Sequence, residues 1–125
     1  MIEVAAAWIF DGKRVLLCRR PAHKARGGHW EFPGGKLEKG ETAAMALERE
    51  IMEELAVTIR AGKVAADVVC QYPDISIHLT LLEAEITAGQ PQALEHSQLE
   101  WVLPEELAGY DLCTADRKLV EKMNK

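Results

Sequence analysis

Residues 34–57 read GGKLEKGETAAMALEREIMEELAV. Two glycines open the stretch, and Gly40 ends the loop that follows them. From Thr42 to Leu55 the pattern turns helical: Leu47, Ile51 and Leu55 repeat at i, i+4 and i+8, with Ala43 and Ala44 on the adjoining surface. That spacing predicts a helix with one stripe facing a core. Glu50, Glu53 and Glu54 sit at i, i+3 and i+4 and project together from one helical face. Like charges at that spacing oppose each other by roughly a few tenths of a kcal/mol per pair. They also occupy the C-terminal half of the helix, where the macrodipole disfavours anions. The bland alternative is a solvated acidic face, partly neutralised by Arg49. A hard divalent cation reverses the sign of the interaction, because Mg²⁺ takes oxygen ligands and sits beside phosphates.

Outward from this stretch, the chain alternates apolar runs with turn signals. Ile2 to Phe10 suits a buried strand, Asp11-Gly12 a hairpin turn, and Arg14 to Arg19 the returning strand. Pro21 to His29 reads as a polar loop, and Trp30-Glu31-Phe32 as a short strand halted by Pro33-Gly34-Gly35. Val64 to Tyr72 and Ile75 to Ile86 read as strands joined near Pro73-Asp74, with Ile75, Ile77, Leu79 and Leu81 sharing one face. Leu99 to Leu103 is a further short strand, and Pro104 opens a brief helical turn through Leu107. Ala115 to Met123 reads as a terminal helix with Leu119, Val120 and Met123 inward. Strands and helices mix without regular βαβ alternation. The fold class is therefore α+β, a mixed sheet between helices, in a single domain over residues 1–125.

Composition narrows the function. The formal net charge is −5, and no basic stripe of the kind that grips nucleic acid is present. The early cluster of Arg19, Arg20, His23, Lys24 and Arg26 is too short for a duplex footprint, yet it can meet one small anion. Cys18, Cys70 and Cys113 lie far apart with no CxxC pair, and read as free, mostly buried thiols in a reducing compartment. No apolar run is long enough for a membrane span, so a cytoplasmic location without membrane association is expected.

The opening stretch resembles the Nudix box, G-x5-E-x7-R-E-U-x-E-E-x-G-U with U a bulky aliphatic residue. Gly35, Glu41, Arg49, Glu50, Ile51, Glu53, Glu54 and Val57 match at the right spacings. The resemblance implies a Nudix fold, a mixed sheet sandwiched between helices. It implies that Glu53 and Glu54 are the main metal ligands, with Glu50 joining them or orienting a water, and the Gly34 carbonyl adding an oxygen. Arg49 would hold the carboxylates in place, while Glu41, like Gly35, would be structural. The implied cofactor is Mg²⁺, with Mn²⁺ able to stand in. One position departs: the family has Gly where this chain has Ala56. Either Ala56 takes the left-handed conformation at roughly 1 kcal/mol or somewhat more, or the loop follows another path.

The resemblance extends to pyrophosphohydrolases of the MutT type, through Arg19-Arg20-Pro21-Ala22 and Trp30 to Lys36. It implies hydrolysis of a nucleoside triphosphate to the monophosphate and pyrophosphate, with a small nucleotide as partner and a monomer or homodimer as the working unit. Arg20 would contact the substrate, or is a surface arginine at a strand end. Glu95 would be an additional metal ligand or base, or a solvated loop residue. Asp116 would read the base, cap the last helix, or do both. His78 is a weaker substrate-binding candidate, since a strand histidine is more often plain surface. Trp30, Trp101 and Tyr72 are able to stack a base, although core packing is expected for at least two of them. Two substrates fit: an oxidised purine such as 8-oxo-dGTP, which makes a pool-cleaning, mutation-avoiding enzyme of the DNA-repair kind, and CTP or a modified dCTP. A non-catalytic Nudix ligand sensor is the alternative of another class, but such loss would erode Glu50, Glu53 or Glu54, and all three are present.

Overall fold

A computed structural model describes residues 1–125. Ten elements follow in order. They are β1 (Ile2–Asp11), β2 (Arg14–Arg19), β3 (Trp30–Glu31), β4 (Gly34–Lys36), α1 (Ala43–Leu55), β5 (Thr58–Gln71), β6 (Ser76–Ala88), β7 (Gln98–Val102), a 3₁₀ turn (Pro104–Gly109) and α2 (Thr114–Met123). The sheet runs β3-β2-β1-β6-β5, with β4 on β1 and β7 on β2. Only β1 and β6 pair in parallel; every other named pair is antiparallel. The mixed α+β class read from the sequence is the architecture observed.

β1 organises the rest because its two faces feed two separate cores. Ala6, with Val4 and Trp8 beside it, packs with Leu79, Leu81, Leu119 and Val120 under α2. Ala5, Ala7 and Ile9 pack with Leu47, Ile51 and Leu55 under α1. The period-2 alternation of a strand is thus satisfied on both sides at once. The i, i+4, i+8 stripe of α1 is fully buried: Leu47, Ile51 and Leu55 are each 0% exposed. Burial of a leucine or isoleucine side chain contributes about 1.5–3 kcal/mol, so this stripe fixes the rotation of α1. That rotation decides where the glutamates point. All three cysteines are free and buried.

Beyond small shifts at strand ends, the structure changes three points of the sequence reading. Pro33-Gly34-Gly35 does not end the strand region; after Pro33 the chain resumes as β4, with Gly34 opposite Ala6 and Gly35 opposite Ala5. Side-chain periodicity has no grip on glycine, which carries no side chain to alternate. β5 begins at Thr58 rather than Val64, and its register against β6 shifts between Ala61 and Val64 and again between Val64 and Ala66. Those irregularities break the alternation that would have marked the strand. Asp116 is not the cap of the last helix, because Cys113 holds the N-cap position and Asp116 lies inside the first turn.

α1 starts at Thr42, whose hydroxyl accepts the Met45 N–H at 3.2 Å. It ends at Ala56, which adopts the left-handed conformation, φ 58° and ψ 35°, and donates its N–H to the Met52 carbonyl. Of the two open paths, the chain keeps the family's helix stop and carries the strain of a Cβ there. Ala56→Gly should therefore stabilise the fold by about 1 kcal/mol, raising Tm by about 4 °C in a thermal melt. A lower Tm would overturn this account of the helix end.

Candidate active site

The site is built where β4, α1 and the start of α2 meet over β1. Gly34 and Gly35 make it possible. A Cβ on Gly34 would overlap the backbone of Ala5, and one on Gly35 would overlap the Glu50 carboxylate. The helix carboxylate therefore lies directly against backbone, as only glycine permits.

Arg49 organises the outer half of the site. Its Nε and Nη2 each donate at 2.8 Å to the two oxygens of Glu41. Nη1 donates to Glu50 at 3.0 Å and to Glu53 at 3.4 Å, and Nη2 also reaches the Lys36 carbonyl at 3.2 Å. This is the planar fork that suits arginine and not lysine. Glu41 also accepts the Glu38 N–H at 2.7 Å, tying the loop to the helix. The bonds from Arg49, then that from Glu38, hold the Glu41 carboxyl down at about 2. Glu53 remains half exposed on the solvent side, with its side chain 53% accessible.

Glu54 points the other way, into a cavity of about 310 Å³ that also holds Arg20, Glu31, Gly34, Gly35, Glu95 and Asp116. Its residue exposure is only 8%. Its one hydrogen bond comes from the Gly34 N–H at 3.3 Å. Burial first, then the charges of Glu31, Glu50 and Glu95, push its carboxyl up to about 9. A buried carboxylate facing three others, with no cation paired to it, is what a positive guest would relieve. The donors are all oxygen: Glu54, Glu95 and the Gly34 backbone line the cavity, Glu50 lies against Gly35, and Glu53 stands on the solvent side. That set fits a hard divalent cation.

The other candidates fall into two groups. Arg20 sits in the cavity, its Nη1 at 3.1 Å from Glu31 and its Nε donating to the Ala25 carbonyl at 2.7 Å. Burial alone would lower its guanidinium, but Glu31 overrides that and raises it. Asp116 is 5% exposed and accepts the Phe32 N–H at 3.0 Å. Burial and then Glu31 push its carboxyl well above the carboxylate range. Glu95 lines the same space. His78 is not brought to the site. It lies on the face of β6 opposite Ile77 and Leu79, which line the cavity. Its two ring nitrogens each sit 2.7 Å from a carboxylate, Glu3 on β1 and Asp67 on β5. Those two bonds, Asp67 first, raise its pKa. Of the aromatic residues, Trp30 and Trp101 pack into the cores and Tyr72 lines the cavity.

Two cavity residues were not singled out from the sequence. Glu31 bridges Arg20 and His96, the latter at 3.0 Å, and one of its oxygens lies within 4.8 Å of ligand atoms on Cys113 and Asp116. His96 has a side chain only 5% exposed, and its Nδ1 is buried with no partner. Glu31 carried one faint signal, an acid inside a short apolar strand. His96 carried none, since its burial comes from the loop before β7 closing on the cavity.

Comparison with known proteins follows the same lines. A family model described as a NUDIX domain matches residues 5–122. The chain is 40% identical over 121 residues to the CTP pyrophosphohydrolase of Escherichia coli, covering 97% of this chain and 90% of that protein. It is 36% identical over 118 residues to a putative 8-oxo-dGTP diphosphatase 2 of Mycobacterium tuberculosis, covering 91% and 82%. A crystal structure of a MutT protein from Methanosarcina mazei superposes with a TM-score of 0.87 at 25% identity, covering 98% and 92%.

Glu54 sets a pH dependence whose sign is fixed. With its folded pKa at about 9, above the ordinary 4.5, the folded chain keeps a proton that the unfolded chain has lost. In chelator, stability to urea should therefore decline as pH rises from about 5 to about 9. Glu54→Gln should flatten that decline, and an unchanged slope would overturn the assignment.

Proposed function

The chain belongs to the Nudix family, and on that premise we propose that it hydrolyses a cytidine-type nucleoside triphosphate to the monophosphate and pyrophosphate, with magnesium as its cation. One observation carries this reading: a single cavity holds Glu54 of the box helix and the buried carboxyl of Asp116. The first is chemistry for phosphates, the second for a base.

Glu50, Glu53, Glu54, Glu95 and the Gly34 backbone are the oxygens that would hold the cation. When bound, a divalent cation neutralises charge on phosphate oxygens and makes a water more acidic. The chain does the rest. Arg49 keeps Glu50 and Glu53 from turning away, so little reorganisation remains at the moment of reaction. A free glutamate oxygen in the cavity accepts the proton of the attacking water. Water adds to phosphorus, the bond to the bridging oxygen breaks, and pyrophosphate leaves. Arg20 is positioned to meet the anionic substrate, although it must share its fork with Glu31. No thiol takes part.

Asp116 supports the choice of base. Burial and the neighbouring Glu31 raise its pKa and so favour its protonated form. A carboxylic acid then offers one acceptor and one donor side by side, which complements the exocyclic amine and adjacent ring nitrogen of cytosine. The similarity to the Escherichia coli CTP pyrophosphohydrolase points the same way. An oxidised purine triphosphate is the second reading, favoured by the similarity to the Mycobacterium tuberculosis protein. In that case the enzyme cleanses the nucleotide pool.

The test is pyrophosphate release from a panel of canonical and oxidised triphosphates with magnesium. CTP or a modified dCTP should show the highest kcat/KM. Glu53→Gln and Glu54→Gln should each lower kcat by roughly a hundredfold or more, with the circular dichroism spectrum unchanged. Asp116→Asn should cost CTP more than it costs 8-oxo-dGTP. Full turnover in chelator, or equal loss on both substrates, would overturn the metal role or the base role respectively.

A further inference from the structure

Arg26 takes no part in the chemistry above, yet it is held more tightly than a loop arginine needs to be. It lies in the loop between β2 and β3, and with Ala56 is one of two non-glycine residues in the left-handed region, at φ 59°. Its guanidinium carbon sits 4.3 Å from the centroid of the Tyr72 ring. Its Nη1 donates to both oxygens of Asp74, at 3.0 and 3.3 Å. Tyr72 is anchored from behind, its hydroxyl accepting the Ala115 N–H at 2.9 Å. Arg26, Tyr72 and Asp74 all line the cavity. A strained backbone persists only where its surroundings over-determine it, and here the Tyr72 ring under the guanidinium and the Asp74 carboxylate bonded by Nη1 do so.

The clasp lies at the end of the cavity away from Glu54 and the box helix. Gly34, which contacts Glu54, is opposite Ala6, and Ala6 is opposite Leu81. Asp74 and Ile75 precede Leu81 by six or seven residues, so the turn that carries them lies roughly 20 Å along β6. A triphosphate anchored at the glutamates extends its base toward that end. There a planar cation already covers the Tyr72 face, the surface on which a flat base would stack. The cavity, about 310 Å³ with the clasp closed, is at the small end of ligand sites.

We propose that Arg26 is a specificity-determining residue: by stacking on Tyr72 and gripping Asp74 it shortens the base end of the cavity, admitting a single-ring base and turning away a two-ring base. This rests on the pyrophosphohydrolase reading and names the substrate class for the same site. Lysine cannot replace Arg26, because an ammonium does not lie as a plane over the Tyr72 ring. The barrier to purines is the work of opening the clasp.

The experiment measures kcat/KM for CTP and for 8-oxo-dGTP, by pyrophosphate release, in the parent, Arg26→Ala and Arg26→Lys. The CTP to 8-oxo-dGTP ratio should fall about tenfold in both variants, chiefly through a gain on the purine. A merely structural role would lower both substrates together. If Arg26→Ala melts early, Asp74→Asn, which loosens the fork from its exposed side, carries the same ratio test and should show a smaller fall. An unchanged ratio in variants that turn over overturns the clasp and leaves the pyrophosphohydrolase reading standing. A parent that releases pyrophosphate from neither substrate overturns that reading, and the clasp with it.

Discussion

Carboxylates crowded in a small buried volume are the constraint on which the structure turns. Glu54 faces Glu31, Glu50 and Glu95 with no cation paired to it. The fold accepts this cost because the two apolar cores on either face of β1 hold the carboxylates where they are. Three fully buried side chains of α1 fix the helix rotation, and that rotation aims Glu54 inward and leaves Glu53 half in water. Stability is thus spent in the interior to keep a deficit of positive charge that a divalent cation can fill.

Arg49 and the two glycines make that deficit usable. Arg49 binds Glu41, Glu50 and Glu53 at once, so one guanidinium compensates the outer carboxylates and leaves Glu54 uncompensated. Gly35 removes the side chain that would otherwise keep Glu50 off the backbone of β4, and Gly34 the one that would collide with the β1 backbone at Ala5 and Ala6. The asymmetry between a neutralised outer half and an uncompensated inner half gives the site a direction. On the proposed reading the phosphates lie at the glutamates and the base along β6 toward the turn at Asp74.

The same logic separates residues that share a chemical type. Asp116 and Asp67 are both aspartates inside regular elements, α2 and β5. Asp116 is buried beside Glu31 and is pushed toward its neutral form, whereas Asp67 bonds His78 and Lys122 on the surface and is held in its charged form. His78 and His96 differ likewise. His78 ties three strands together outside the cavity, and His96 is enclosed against Glu31 within it.

The sequence alone determined what periodicity and fixed spacing can carry. The α1 stripe, the hairpin at Asp11-Gly12, the paired inward residues of β6 and the box from Gly35 to Val57 are all short-range patterns, readable because helices and strands repeat over a few residues. The tertiary structure decided what depends on separate elements meeting. β4 was hidden because glycines carry no alternation, and the early start of β5 was hidden by its register shifts. Glu31 and His96 became site residues only when β3 and the loop before β7 closed on one cavity, and His78 fell outside it because its face of β6 turns away. Burial and Coulomb interaction are properties of distances in space, so which glutamate is raised and which aspartate stays charged is written in no local stretch of chain.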